Sequence, residues 1–458
     1  MRPNILFVIC DDHRGSAIGA LGDAAVKTPV IDRLVARGTA FTNAHHEGSL
    51  CPAVCVPARS CLHTGANVFR SSSSTTVGDY QGLMRLPSDR PLLVESLRQH
   101  GYQTFVTGKW HNCRASLHRC FGAGESIFLG GMGDHHALPV YDHDPSGEYP
   151  KAAERLAEGF STEVFCNSAI RFIEGYTGEN PFFCYLAFTS PHDPRTPPEE
   201  FAALYPPAEL PLPPNAWAEH PFDPGVLHIR DEELAGYPRD PGEVRQHLAD
   251  YYGMISHHDA HLGRVLAALE QTGHGRNTVV VYTSDHGLAV GQHALLGKQN
   301  LYEHSTRVPL ILAGPGVPAG RQQDQLVHGF DLHPTILELA GVPLPATVEA
   351  RSLRQLWEGR ASGRKYVGCL YEHRQRMIRD ERWKLIRYYR REDRGSEALQ
   401  LFDLASDPWE TCNRAADPSV ADELARLAAA MRQWMAEAGD PLADEPVLAA
   451  PAGAGPAA

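Results

Sequence analysis

Besides the strand candidate Tyr102–Thr107, apolar runs without polar alternation punctuate the first 320 residues: Ile5–Cys10, Pro181–Thr189, Thr278–Tyr282 and Val308–Ala313. Each predicts a strand buried on both faces, the pattern of a sheet covered by helices on both sides. Between them lie amphipathic stretches with helix punctuation: Val30–Arg37 after Thr28-Pro29 and before Gly38, Leu92–His100 before Gly101, Thr162–Gly175 behind Ser161, about Glu243–Gln271, and Asp331–Ala340. Residues 112–160 have weak periodicity and many Gly, His and Asp residues and predict long loops. Residues 194–240 are Pro-rich and predict a surface excursion. The alternation predicts an α/β fold with a large, mostly parallel or mixed central sheet flanked by helices. Beyond about residue 345 the pattern changes. Tyr366–Tyr371, Arg382–Tyr389 and Gln400–Leu404 predict antiparallel strands, and Val420–Ala438 a helix with Leu424, Leu427, Met431 and Trp434 on one face. The expected division is a large α/β domain over 1–345, a smaller C-terminal α+β part over 346–440, and a frayed tail, rich in Ala and Pro, over 441–458.

Composition narrows this picture. The 458 residues are 43% hydrophobic and 21% charged, ample for a large core. A net charge of −13 argues against a nucleic-acid partner, though a local pocket can still oppose the global sign and take an anionic substrate. The ten cysteines show no disulfide-scaffold rhythm. The apolar run Ile5–Cys10 is too short for a secretory signal, and no run approaches the ~20 apolar residues of a membrane span. The expectation is a cytoplasmic protein with reduced thiols and no membrane partner. Oligomeric state is not legible.

The chemistry is positional. Asp11-Asp12 ends the first predicted strand, Lys109 and His111 the second, His192 the third and Asp285-His286 the fourth, with Lys298 in the following loop. In a parallel sheet such strand ends share one edge, where α/β folds place ligand sites. Asp11, Asp12 and Asp285 offer hard oxygen donors suited to Ca²⁺ or Mg²⁺, and His286 a nitrogen donor or a hydrogen bond to a nucleophile. Lys109 and His111, two apart, face the same side of an extended strand end and can hold an anion and move a proton. The stretch Cys55-Val56-Pro57-Ala58-Arg59 adds a sulfur at a helix N-terminus, with Pro57 in the first turn and Arg59 as a guanidinium fork for sulfate or phosphate. Taken singly, each cluster has an ordinary reading as well: a cap, a turn, a buried thiol.

Cys55-x-Pro57-x-Arg59 with Leu62 and Thr64-Gly65 resembles the maturation signature of type I sulfatases in the alkaline phosphatase superfamily. The resemblance extends through Pro3-Asn4-Ile5, Asp11-Asp12, Gly108-Lys109-Trp110-His111, Ser190-Pro191-His192, Ser284-Asp285-His286-Gly287 and Gly297-Lys298 to Leu401–Leu404 and Asp407–Glu410. Ala58 replaces a commoner Ser, Ala66 stands where Arg is frequent, and His286 occupies a position that is Asn in some members. The resemblance implies an alkaline phosphatase-like fold and hydrolysis of a sulfate monoester of a sugar or of an aryl or alkyl alcohol. It implies conversion of Cys55 to formylglycine by a formylglycine-generating enzyme, and Ca²⁺ (or Mg²⁺ or another divalent ion) held by Asp11, Asp12, residue 55, Asp285 and His286. The hydrated aldehyde would attack sulfur, with Asp285 taking its proton and Arg59, Lys109 and Lys298 stabilising the sulfuryl oxygens. His192, with Lys298, would protonate the leaving oxygen, and His111 would act as base when sulfate is expelled.

Three rival readings remain. Phosphonate monoester hydrolases and phosphodiesterases of the same superfamily share the formylglycine and the metal, but tend to lack the second Asp and the Lys present here as Asp12 and Lys109. Cys51, Cys55, Cys61 and His63 could form a structural zinc module, although no paired C-x₂-C unit is present. A catalytically silent protein that binds sulfate esters would result if Cys55 were never converted. Asp134–His136, Asp142–Asp144 and Glu372–Arg374 are candidate contacts to the alcohol portion of the substrate, or solvated loop residues.

Overall fold

The computed structural model describes residues 2–392 and 394–447. Its centre is an eight-stranded mixed sheet. Five strands run parallel, in the order Thr278–Ser284, Asn4–Asp11, Phe182–Pro191, Gln103–Lys109 and Ala123–Phe128. Leu310–Ala313 adds antiparallel to the first of these, followed by Thr39–Phe41 and Arg321–Gln323. The predicted strand Val308–Ala313 is broken: Arg307–Val308 pairs elsewhere, with Ala44–His45.

The apolar run of Asn4–Asp11 has no alternation because both faces are covered. Ile5, Phe7 and Ile9 pack with Leu93, Leu97 and Leu332 on one side. Leu6, Val8 and Cys10 pack with Ile31, Phe165 and Leu262 on the other. The longest helix, Pro241–Gln271, starts where its sequence says it should. Asp240 accepts from the N–H groups of Gly242 (2.8 Å) and Glu243 (2.9 Å), and Pro241 fills the first position, where no donor is needed.

Two predicted loop regions need correction. Residues 112–160 contain the helix Arg114–Cys120 and the edge strand Ala123–Phe128. Gly, Ser and Glu dilute the strand's hydrophobic pattern, because its first half is only partly covered. The Pro-rich excursion is not wholly superficial, since Asp231, Glu232 and Arg239 are buried. Arg239 donates to Glu232, which also accepts from the N–H groups of Leu296 and Gly297 at 2.9 Å each, so the excursion holds the backbone beside Lys298.

The C-terminal sheet has five strands in the order Ala398–Asp403, Trp383–Tyr388, Gln375–Arg379, Val367–Tyr371 and Gly48–Ser49. The strand Gln375–Arg379 is an addition to the expected set; its arginines break the apolar pattern. Helix Ala421–Ala438 lays Leu427, Met431 and Met435 on Ile378, Leu385 and Leu401. The fifth strand comes from the segment leading into Cys55 and pairs parallel with Leu370 and Tyr371. Gly48 permits this approach: its φ is 102°, and a Cβ there would lie 1.8 Å from the Leu370 carbonyl oxygen. In the expected tail, Leu442 and Val447 are buried against the C-terminal sheet, so the folded chain continues past Pro441. The remainder, 448–458, lies outside the described residues. Among the described residues no helix is long and apolar enough to cross a membrane.

A buried ion cluster ties the C-terminal sheet to the short helix Glu303–Thr306. Glu303 accepts from Arg379 Nη1 (2.6 Å) and Lys384 Nζ (3.1 Å), with His45 Nε2 at 3.4 Å. Lys384 also meets Glu410 at 2.7 Å. Burial opposes ionisation of Glu303, but Arg379, Lys384 and His45 outweigh it and hold its carboxyl well below the usual range. Glu303→Gln would strand two buried cations on one remaining carboxylate and is expected to cost about 3–5 kcal/mol, read as a lower urea midpoint. Because the folded-state pKa is depressed, the wild-type contribution is complete above the unfolded-state value and fades as pH falls toward the folded one. The gap between variant and wild type should therefore narrow in acid.

Candidate active site

The parallel strands deliver their chemistry to one edge. Their register sets Cys10 beside Ser284 and Asp11 beside Pro191, so Asp11-Asp12, Asp285-His286 and His192 emerge together. Lys109 arrives from the neighbouring strand, and its ammonium donates to Asp11 Oδ2 and to the Gly131 carbonyl. The fifth contribution comes from helix Cys55–Thr64, buried along its whole length. Gly65 ends this helix at φ 64°, donating to the Cys61 carbonyl at 2.8 Å.

All the candidate site residues converge. Cys55 Sγ lies 3.0 Å from His111 Nδ1 and 3.7 Å from Lys109 Nζ. Arg59 Nε donates to Asp285 Oδ2 at 2.9 Å and its Nη1 to the Lys109 carbonyl at 2.8 Å. Lys298 Nζ donates to Asp12 Oδ1 at 3.0 Å. His286 reaches three carboxylates: Asp12 Oδ1 at 3.1 Å, Asp285 Oδ1 at 3.6 Å and Asp11 Oδ1 at 3.8 Å. His192 Nε2 stands 3.9 Å from Asp12 Oδ2, while its Nδ1 donates to the Asp193 carbonyl at 2.8 Å. The route by which Lys109 and His111 reach Cys55 differs from expectation. The strand ends at Lys109, and His111 has φ 55°, so a turn rather than an extended pleat aims the two side chains. Asp12 is also left-handed, at φ 73°, a strained conformation of the kind that clusters at functional sites.

The electrostatics divide the site. Burial opposes charge on Asp11, but Lys109, His192, Lys298 and Arg59 together hold its carboxyl well below the usual range. Burial, reinforced by the Asp11 charge, raises Asp285. Burial also resists a charge on His286, yet Asp285 overcomes it and lifts the imidazole to about 9. On the other side, burial works against the Cys55 thiolate, and His111 and Lys109 outweigh it and pull the thiol well below its ordinary value. The position of Sγ is thus built to carry negative charge.

The donor set fits a hard divalent cation. Asp11, Cys55, Asp285 and His286 offer one ligand atom each, all within 4.8 Å of one another, and Asp11, Asp12 and His192 form an overlapping group. Asp11 Oδ1 and His286 Nε2 are buried without a hydrogen-bond partner. The expected alternative of a zinc module does not form. Cys61 Sγ lies against Ser71 Oγ at 3.6 Å, and the His63 ring packs on Trp110 at 4.5 Å. All ten cysteines are free thiols.

Several residues of the site lie outside the sequence motifs. Tyr80 bonds His111 Nε2 at 2.8 Å from a four-residue helix too short to show a period. Asp231 accepts from Gln299 Nε2 at 2.8 Å, and burial notwithstanding, Lys298 and Arg230 hold it ionised. His135 Nε2 donates to the His192 carbonyl at 2.9 Å, a positioning contact rather than one to substrate. Asp142 and Asp144 are structural: Asp142 accepts from Ser126 N–H (3.0 Å) and Arg155, and Asp144 closes the turn to Tyr149 (2.8 Å).

Comparison with known proteins gives the family. A family model described as Sulfatase matches residues 3–342, and one described as N-sulphoglucosamine sulphohydrolase, C-terminal, matches 291–437. The chain is 27% identical to an N-acetylglucosamine-6-O-sulfatase of Bacteroides thetaiotaomicron, over 90% of this chain and 82% of the relative. It is 30% identical to the multifunctional alkaline phosphatase superfamily protein PehA of Trinickia caryophylli, over 92% of each. The solved structure of BT4656 in complex with its substrate D-glucosamine-2-N,6-O-disulfate superposes with a TM-score of 0.79, at 24% identity, covering 97% of this chain and 99% of that one, which is a likeness of fold. With the Sulfatase family model matching residues 3–342, the protein belongs to the sulfatase family of the alkaline phosphatase superfamily and is a sulfuric ester hydrolase.

Proposed function

We propose that the protein hydrolyses sulfate monoesters carried on sugars, with Cys55 converted to formylglycine by a formylglycine-generating enzyme. The observation that carries this reading is the pairing of two opposite demands around Cys55 Sγ. Asp11, Asp285 and His286 bring cation-ligating atoms within 4.8 Å of Sγ, while His111 and Lys109, 3.0 and 3.7 Å from it, favour an anion there; Lys109, Lys298 and Arg59 are at the same time paired with Asp11, Asp12 and Asp285. In the thiol form Sγ stands in for the nucleophilic oxygen, which a hydrated aldehyde at residue 55 supplies. Ca²⁺ or Mg²⁺ held by Asp11, Asp12, Asp285 and His286 would act as a Lewis acid toward the ester oxygens. The chain's own groups do the rest. Lys109, Lys298 and Arg59 neutralise charge on the sulfuryl oxygens, and Asp285 accepts a proton from the nucleophile. His192 delivers a proton to the leaving oxygen, and His111, fixed by Tyr80, removes one when sulfate is expelled.

The sugar preference rests on the N-acetylglucosamine-6-O-sulfatase relative and on the depth of the site, in which Lys298 and His192 are buried. A phosphonate or phosphodiester substrate is the second reading, kept open because a 30% identical relative is named only as a multifunctional protein of the superfamily. Asp12 and Lys109 weigh against it. Parallel measurement of kcat/KM on sulfated monosaccharides, an aryl sulfate and an aryl phosphonate decides between them. The sulfate esters are expected to lead by at least about 10²-fold, on the order of 3 kcal/mol of transition-state discrimination. A phosphonate preference would overturn the assignment.

A further inference from the structure

A second set of metal-ligating side chains sits where two helices meet, apart from the sheet edge. His257 and His261 are four residues apart on helix Pro241–Gln271 and so share one face. Glu163 meets them from the first turn of helix Ser161–Gly175. One ligand atom from each lies within 4.8 Å of the other two. His257 Nε2 and Glu163 Oε1 are 3.4 Å apart. Two ligands of a tetrahedral zinc ion, each at its usual bond length, stand about 3.3 Å apart.

The second observation is the state of His257. Its side chain is 1% exposed, with Phe160 and Phe201 packed around the ring at centroid distances of 4.6 and 4.9 Å. Neither ring nitrogen makes a hydrogen bond. Buried polar atoms are normally paired, and an orphan costs about 1–3 kcal/mol. Burial, with His261, His135 and His136 nearby, lowers the imidazole to about 3, so it stays neutral with a lone pair to give. His261 Nδ1 accepts from Arg264 Nη1 at 3.0 Å, so its lone pair faces the cluster, and a metal ligated there would displace Arg264, which keeps its contact to Asn167 at 2.8 Å. The Glu163 side chain is 41% exposed, which opens the group to solvent. Among the described residues the other soft cluster, Cys10, His13 and His258, makes no such demand. Its atoms converge on the Tyr282 hydroxyl, at 3.2, 2.8 and 2.9 Å.

We propose that Glu163, His257 and His261 form a Zn²⁺ site, completed by water, that clamps helix Ser161–Gly175 to helix Pro241–Gln271. Two imidazoles and one carboxylate select zinc over the oxygen-seeking Ca²⁺. The clamp stands behind the catalytic wall: Phe160, against His257, also stacks on His135 at 5.2 Å, and His135 holds the His192 carbonyl.

The test uses full-length protein, stripped of metal and then saturated with Ca²⁺ so that the aspartate cluster is occupied. Zinc bound per chain and the melting temperature are followed on adding Zn²⁺, for wild type, His261→Ala and Glu163→Gln. Both substitutions alter partly exposed side chains, and circular dichroism checks that the variants fold. Wild type is expected to take up one more zinc than either variant and to gain melting temperature where they do not. Co²⁺ should give wild type visible ligand-field bands, without thiolate charge transfer, that the variants lack. Equal zinc uptake by all three proteins, or no uptake by wild type, would overturn the site.

Discussion

Cys55→Ala is expected to lower sulfate ester turnover by ~10⁴-fold or more, since in the proposed mechanism the position supplies the nucleophile and no neighbouring group replaces it. The substitution removes one sulfur and leaves the helix its bonds from Arg59 to Asp285 and the Lys109 carbonyl and from Asn112 to Ser60, so folding should survive and the loss should fall on kcat. Cys55→Ser separates the two halves of the reaction. A serine hydroxyl can attack sulfur, but it has no second hydroxyl with which to expel sulfate. The variant should give a burst of about one alcohol per chain and then stop, with the sulfate ester retained on the introduced hydroxyl. The wild-type peptide containing Cys55 should weigh about 18 Da less than its thiol form, the difference between a sulfhydryl and an aldehyde side chain. Full activity from protein whose Cys55 is an intact thiol would be fatal to this mechanism. His111 and Lys109 pull the Cys55 thiol well below its ordinary value, so unconverted protein is expected to react with small alkylating reagents and loss of alkylation to track conversion.

How much of the molecule is legible in its sequence depends on how strongly one interaction dominates each segment. The strand Asn4–Asp11 is readable because both of its faces are buried, leaving nothing to dilute the apolar run. Helix Pro241–Gln271 is readable because its cap and its period agree. Ala123–Phe128 is not, because an edge strand with a half-covered start carries Gly, Glu and Ser. Gln375–Arg379 hides for a different reason. Its arginines are buried through ion pairs, Arg376 with Asp440 and Arg379 with Glu303, and a pattern of hydrophobicity cannot see a charge that is buried with its partner. Gly48–Ser49 has no pattern at all; its pairing is decided by Leu370, which is remote in sequence.

The site is more legible than the fold around it, since strand ends announce themselves and a parallel sheet fixes which ends are neighbours. Asp11, Lys109, His192 and Asp285 can be placed on one edge without any side-chain geometry. The return of the Pro-rich excursion, which brings Asp231 to the neighbourhood of Lys298, cannot be read in this way, because it is specified by the buried pair of Glu232 and Arg239. Nor can the use of the segment before Cys55 as the edge strand of the C-terminal sheet. This pairing makes the smaller sheet a support for the nucleophile, so damage to Leu370 or Tyr371 should be felt at residue 55.

His192→Ala is expected to reveal the leaving group. His192 Nδ1 is committed to the Asp193 carbonyl at 2.8 Å, and Asp193 is in turn held by Arg230 at 3.1 Å. The ring is therefore fixed with Nε2 turned toward Asp12 and the reacting end of the site, 3.9 Å from Asp12 Oδ2. A sugar alkoxide is a poor leaving group and needs a proton as the sulfur–oxygen bond breaks; a nitrophenolate leaves without one. Loss of the general acid should cost about 10²–10⁴-fold in kcat on a sugar sulfate and little on nitrophenyl sulfate. Lys298→Ala should behave differently. Lys298 donates to Asp12 at 3.0 Å and lies among groups that meet the sulfuryl oxygens, which every substrate shares, so both esters should slow together. Equal losses on the two substrates in His192→Ala would remove His192 from the acid role. Selective loss on the sugar sulfate, with a flattened dependence of rate on leaving-group acidity in wild type but a steep one in the variant, would establish it.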